Sequence, residues 1–134
     1  MGTRVGFDLV DVADVDAACD RWGERYLARV YTRGEIDACS ALPPSGRLRR
    51  LAACFAAKEA TLKVLEPGDD EIPWQHIELC HRPNGDLTLR LTDTAQAFAE
   101  RRGITELSVS VTWTDGVAAA VVLAGTGERS HRGE

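Results

Sequence analysis

The sequence predicts an α+β domain in which an antiparallel sheet is packed with helices. Three observations point there. Residues 4–12 (RVGFDLVDV) and 106–113 (ELSVSVTW) alternate apolar and polar side chains, the period of a strand. Asn84-Gly85 and Asp115-Gly116 sit between apolar runs, where hairpin turns belong. Between residues 13 and 65 the apolar positions instead recur at helical spacing.

Each element follows in order. In the first strand, Val5, Phe7 and Leu9 share one face and read as its core side. Val15, Ala18, Cys19, Trp22, Tyr26 and Val30 give a helix over 13–30, interrupted at Gly23. Thr32 followed by Glu35 is a capping box, which opens a short helix reaching Ser40. ALPPSG at 41–46 reads as a loop, and a long helix should run from Arg47 to Leu65, ended by Pro67-Gly68. Residues 75–80 and 86–91 form two strands around Asn84-Gly85. An amphipathic helix covers 93–102 and stops at Gly103. In 106–113, Leu107, Val109, Val111 and Trp113 face one way, and VAAAVVLA after Asp115-Gly116 reads as a buried strand. The expected domain is therefore 1–124, with a polar, disordered tail over 125–134.

Composition narrows the function classes. The formal charge of −5 argues against general nucleic-acid binding. No stretch has transmembrane length and the N-terminus has no signal-like character, so a cytoplasmic protein without membrane contact is expected. Cys19, Cys39, Cys54 and Cys80 are widely spaced without a C-x-x-C pair and read as reduced, mostly buried thiols. His76 and His81 stand five apart across one expected strand and face opposite ways, which suits surface or hydrogen-bonding roles rather than a shared metal. Arg21, Arg25, Arg29 and Arg33 recur at four-residue steps, the pattern of a solvated helix face that can also meet an anionic partner.

The chemistry concentrates in residues 55–63, FAAKEATLK. On the long helix the apolar stripe runs through Leu48, Leu51, Ala52, Phe55 and Leu62, and Glu59 lies on it. A carboxylate there is costly unless it is used or paired. Lys63, four residues on, offers an ordinary helical ion pair. Asp8 sits in the middle of the first strand, where aspartate is disfavoured, and alone it could simply end the strand. Two carboxylates from two core elements are harder to set aside. If strand and helix pack, Asp8 and Glu59 converge, a donor pair suited to Mg²⁺, with Lys58 and Lys63 flanking a phosphate.

These residues resemble a known family. GFDLVDV, ARVYTRGE at 28–35, RLAACFAAKEATLK at 50–63, QHIEL at 75–79 and LSVSVTWT at 107–114 are similar, in order and spacing, to the holo-acyl-carrier-protein synthases, small 4′-phosphopantetheinyl transferases. The resemblance covers the chain up to Ala124. It implies the 4′-phosphopantetheinyl transferase fold and a homotrimer with active sites between subunits. It also implies Mg²⁺-dependent transfer of the arm of coenzyme A to a serine of an apo acyl or peptidyl carrier protein, in fatty-acid or polyketide assembly. Residue by residue, it assigns Asp8 and Glu59 as metal ligands, Glu59 and Lys63 as catalytic groups, and Lys58, Lys63, Thr112 and Thr114 to the donor.

The chain departs from the family at three places. Cys54 stands where an arginine is expected, Trp113 where a histidine is expected, and Glu66-Pro67-Gly68-Asp69-Asp70 where a glycine-rich turn is expected. The first helix opens with Asp14, Asp16 and Asp20, whereas carrier-binding helices of the family tend to be basic. A specialised carrier is the resulting expectation. The reading from a different class is a catalytically silent or repurposed relative that binds a carrier protein or its loaded substrate.

Overall fold

A helix of 22 residues, α4 (Pro44–Leu65), lies across the inner face of a three-stranded antiparallel sheet and organises the rest of the chain. The computed structural model describes residues 2–127. The sheet is built from β1 (Gly2–Asp11), β4 (Ile104–Trp113) and β5 (Val117–Thr126), in the order β1-β5-β4. Helices α1 (Val12–Trp22), α2 (Glu24–Val30) and α3 (Arg33–Ser40) follow β1. After α4 come a 3₁₀ turn (Trp74–His76), the hairpin β2 (Ile77–His81) and β3 (Leu87–Leu91), and α5 (Asp93–Arg101). The hairpin forms its own two-stranded sheet, and the α+β class holds.

Small side chains set how close α4 comes. Ala52, Ala53, Ala56, Ala57 and Ala60 are fully buried, and they face Ala118, Ala120, Val122 and Ala124 of β5. At Gly6 the approach is closest: a Cβ there would lie 2.0 Å from the carbonyl oxygen of Ala60 and 3.2 Å from Val64 Cγ1. Only glycine fits such a backbone contact.

This corrects the sequence reading of β1. Val5, Phe7 and Leu9 do share a face, but it is the outer one, and they are 61%, 52% and 61% exposed. Pairing of Val5 with Leu123 and Phe7 with Val121 makes this face continuous onto β5, where Leu123 is also exposed. β5 is therefore buried on one side only. The inner face of β1 carries Arg4, Gly6, Asp8 and Val10, and at Gly6 the backbone of α4 leaves no room for a side chain. On β4 the expected face does turn inward, with Leu107, Val109 and Val111 packed on the core.

Element ends show what turn chemistry decides. The break between α1 and α2 falls at Gly23, whose φ of 57° suits glycine. Thr32 and Glu35 form the full capping box of α3. The Pro-rich segment expected as a loop instead starts α4: Pro44 stands at the first helical position, where its missing N–H costs nothing. At the far end Arg102 donates from Nε to the carbonyl of Leu65 (3.0 Å) and from Nη2 to that of Glu66, capping the helix. The strand expected from residue 75 starts only at Ile77, after the 3₁₀ turn, so His76 and His81 do not bracket a single strand. β5 continues through Thr126, so Gly125 and Thr126 belong to the sheet, and the expected tail over 128–134 lies outside the described residues. All four cysteines are free, Cys39 and Cys54 buried, Cys19 and Cys80 half-buried.

Gly6→Ala should separate β1 from α4, because the new methyl meets a backbone carbonyl rather than a flexible side chain. Overpacking of this kind costs about 1–3 kcal/mol or more. The melting temperature, followed by circular dichroism, is expected to fall by at least roughly 5 °C.

Candidate active site

The close approach at Gly6 carries two carboxylates into one cleft. Asp8 is two residues along the inner face of β1, opposite Ala120. Glu59 precedes Ala60 on α4. Both line a cavity of about 440 Å³, together with Asp11, Asp14, Tyr26 and Phe55. Burial pushes the Glu59 carboxyl above its ordinary range, the charge of Asp8 pushes it further, and Lys63 partly offsets both. Lys63 donates to the carbonyl of Phe7 (2.6 Å) and to Asp8 Oδ1 (3.2 Å). Its side chain is 55% exposed, and it does not line the cavity itself but is tied to it through Asp8.

Two oxygen-donor groups beside a lysine can do two things. They can hold a hard divalent cation, which for Mg²⁺ needs only one or two protein carboxylates when phosphates and water complete the shell. A carboxylate of raised pKa can also accept a proton. Among the described residues, no group of three or more His, Cys, Asp or Glu is placed to hold a metal by itself, so any cation here would be shared with a ligand.

The other expected site residues are placed differently. Lys58 is not at the cleft. It is completely buried, paired with Glu35 Oε1 at 2.9 Å, and donates to the carbonyls of Trp74 (3.0 Å) and Ile77. The helical turn separates adjacent residues by about 100°, so Lys58 points away from Glu59's side. Its expected role at a phosphate is corrected accordingly. Thr112 and Thr114 are not among the described residues lining the cleft. Thr112 is exposed at the end of β4, and the Thr114 hydroxyl accepts from the amides of Gly116 (3.2 Å) and Val117 (3.1 Å) in the β4–β5 turn. Trp113 is 44% exposed beside that turn. Cys54 is in the core, where burial pushes its thiol pKa up, and it lines no part of the cleft.

Sequence reasoning missed Glu35, Phe55 and Tyr26. Glu35 was legible as the capping-box glutamate, yet its second oxygen also accepts from the amide of Leu79 (2.7 Å). Phe55 was read as core, but stands one turn before Glu59 and forms the cleft wall. Tyr26 donates at 2.9 Å to the buried Tyr31 hydroxyl, whose own proton goes to the Leu51 carbonyl (3.0 Å). The basic ladder divides: Arg21 stacks on Trp22 at 4.9 Å, and Arg25 and Arg29 line a groove with Trp22 and Tyr26 beside the cleft.

Known proteins resemble this chain over nearly its whole length. The 4′-phosphopantetheinyl transferase superfamily profile matches residues 4–122. A holo-[acyl-carrier-protein] synthase of Desulforudis audaxviator is 36% identical over 128 residues, 96% of each chain. One from Dehalococcoides mccartyi is 36% identical over 119 residues, covering 89% of this chain and 95% of the relative. The crystal structure of the Helicobacter pylori holo-[acyl-carrier-protein] synthase in complex with coenzyme A superposes with a TM-score of 0.78 at 26% identity, over 91% of this chain and all of that one. A Chronobacterium ammoniagenes synthase–coenzyme A complex has the same fold, with a TM-score of 0.83 at 24% identity over 96% of this chain and all of that one. The chain therefore belongs to the holo-[acyl-carrier-protein] synthase family of 4′-phosphopantetheinyl transferases.

Proposed function

We infer that this enzyme transfers the 4′-phosphopantetheine arm of coenzyme A to a serine of an apo acyl or peptidyl carrier protein. The observation that carries the reading is the convergence of Asp8 and Glu59 in one cleft, with Lys63 paired to Asp8. The donor of the relatives' reaction is a pyrophosphate, and a paired carboxylate site is suited to bind one through Mg²⁺. Asp8 and Glu59 would hold that ion, which when bound supplies charge neutralisation at the pyrophosphate.

The chain's own groups account for the remaining steps. The serine Oγ attacks the phosphorus that bears the pantetheine arm. The bond from that phosphorus to the bridging oxygen breaks, and 3′,5′-ADP leaves with the electron pair. Lys63 is placed to offset the charge that accumulates on the phosphate oxygens as the bond lengthens. The serine proton must pass to a base in the cleft, either the Glu59 carboxylate, which lines it, or a water held there. Phe55 and Tyr26 close the inner walls and limit water.

Two finer points belong to this reading. The acceptor is a specialised carrier, because α1 presents Asp14, Asp16 and Asp20 while the cations stand further on, at Arg21, Arg25 and Arg29. The working form is a homotrimer. Val5, Phe7, Leu9 and Leu123 form an apolar sheet face left in water by the single chain, which favours association. In such an assembly Thr112 and Thr114 would meet a donor bound at a neighbouring copy's cleft.

Incubation with coenzyme A, Mg²⁺ and a panel of apo carriers, read by mass spectrometry, should show the added arm. A less acidic carrier should be modified faster than a strongly acidic fatty-acid one, and equal rates would remove the specialised-carrier reading. No addition to any carrier would favour the silent or repurposed relative. Asp8→Ala and Glu59→Ala are each expected to lower transfer by about 100-fold or more with an unchanged circular dichroism spectrum. Chelation with EDTA should stop transfer, and added Mg²⁺ should restore it. In sedimentation equilibrium the wild type should weigh three copies and Phe7→Glu one; a monomeric wild type would sink the trimer.

A further inference from the structure

Lys58 and Glu35 are the two fully buried charged side chains among the described residues, and the catalytic scheme uses neither. Their network spans four elements. Glu35, on α3, accepts at Oε1 from the amide of Thr32 (2.9 Å) and from Lys58, and at Oε2 from the amide of Leu79 on β2. Lys58, on α4, sends its remaining protons to the carbonyls of Trp74 and Ile77. All three ammonium protons are thus used. Burial pushes the Glu35 carboxyl up, while Lys58 and the two amides pull it back.

The carbonyls that Lys58 holds belong to the 3₁₀ turn and the residue that closes it. That turn carries the Trp74 ring, which packs on Phe55 with centroids 5.1 Å apart and planes tilted by 47°. Phe55 forms the cleft wall one helical turn from Glu59. A continuous path therefore leads from a charge pair in the core, through one main-chain contact and one ring contact, to the wall of the site.

We propose that the buried Lys58–Glu35 pair is a positioning device for the cleft, holding the Trp74 turn so that Trp74 keeps Phe55 in place against the bound donor. For its kinetic consequence this rests on the transferase reading above; for its structural consequence it does not. A pair that served stability alone would be replaceable by neutral groups of similar volume, since removing both charges of a buried pair is often neutral. A positioning pair would not be, because the Trp74 and Ile77 carbonyls would lose their donor even when the charge balance is kept.

The test compares Lys58→Met with the double variant Lys58→Met, Glu35→Gln. The single variant leaves a buried carboxylate without its cation and should lose melting temperature, and the double variant should regain most of it. In the double variant the KM for coenzyme A is expected to rise about tenfold while kcat stays within about threefold, the pattern of lost ground-state contact. Wild-type KM at restored melting temperature would overturn the proposal.

A second readout needs no activity. In a Trp22→Phe, Trp113→Phe background Trp74 is the single tryptophan, since the chain has three. Iodide quenching of its emission should increase when Lys58 is replaced, and unchanged quenching would overturn the proposal. If the double variant does not fold, Lys58→Gln, whose amide can still donate to one carbonyl, is read by the same quenching. Increased quenching in an enzyme that modifies no carrier would leave the positioning role standing and remove the transferase reading instead.

Discussion

One backbone contact governs the molecule: the passage of β1 beneath α4 at Gly6. Because the Gly6 Cα has no side chain, the carbonyl of Ala60 can sit where a Cβ would be. Two residues along the strand and one residue back along the helix, Asp8 and Glu59 are then neighbours. The glycine and the aspartate of the strand motif thus have linked reasons to be where they are. The first lets the helix approach, and the second faces the carboxylate that the approach brings in.

That geometry creates an electrostatic problem and a partial answer to it. Burial and the charge of Asp8 both disfavour ionised Glu59, and Lys63 relieves only part of this. Lys63 itself divides its protons between Asp8 and the main chain of Phe7. A cleft lined by four acidic groups, Asp8, Asp11, Asp14 and Glu59, with one exposed lysine paired to Asp8, is short of positive charge. It is therefore a place where a cation and an anionic ligand would be bound together more readily than either alone. The neighbouring Lys58 contributes nothing to that balance, because Glu35 already neutralises it in the core.

Much of this was legible from residues alone. Glu59 on an apolar helical stripe and Asp8 inside a strand both broke a local rule, and such violations concentrate at functional sites. The capping box at Thr32–Glu35 and the break at Gly23 were fixed by local chemistry and appeared as expected. Three things were not legible. Period-2 alternation in β1 identifies two faces but not which one is covered, and the large apolar set turned out to face water. Pro43-Pro44 looks like a loop signal, yet proline also starts helices. The partner of Lys58 lies 23 positions away on another element, where only tertiary packing could reveal it.

The alanine-lined seam between α4 and the sheet has a consequence for how this chain can vary. In a core of leucines and phenylalanines, loss of volume is the main hazard, and cavities set the penalty. Here Ala52, Ala53, Ala56, Ala57 and Ala60 have almost nothing to lose, while any added methylene has nowhere to go. Substitution along this seam is bounded from above rather than from below. Its residues are held small by the spacing of two backbones, and drift in the sequence is pushed outward, to the loops.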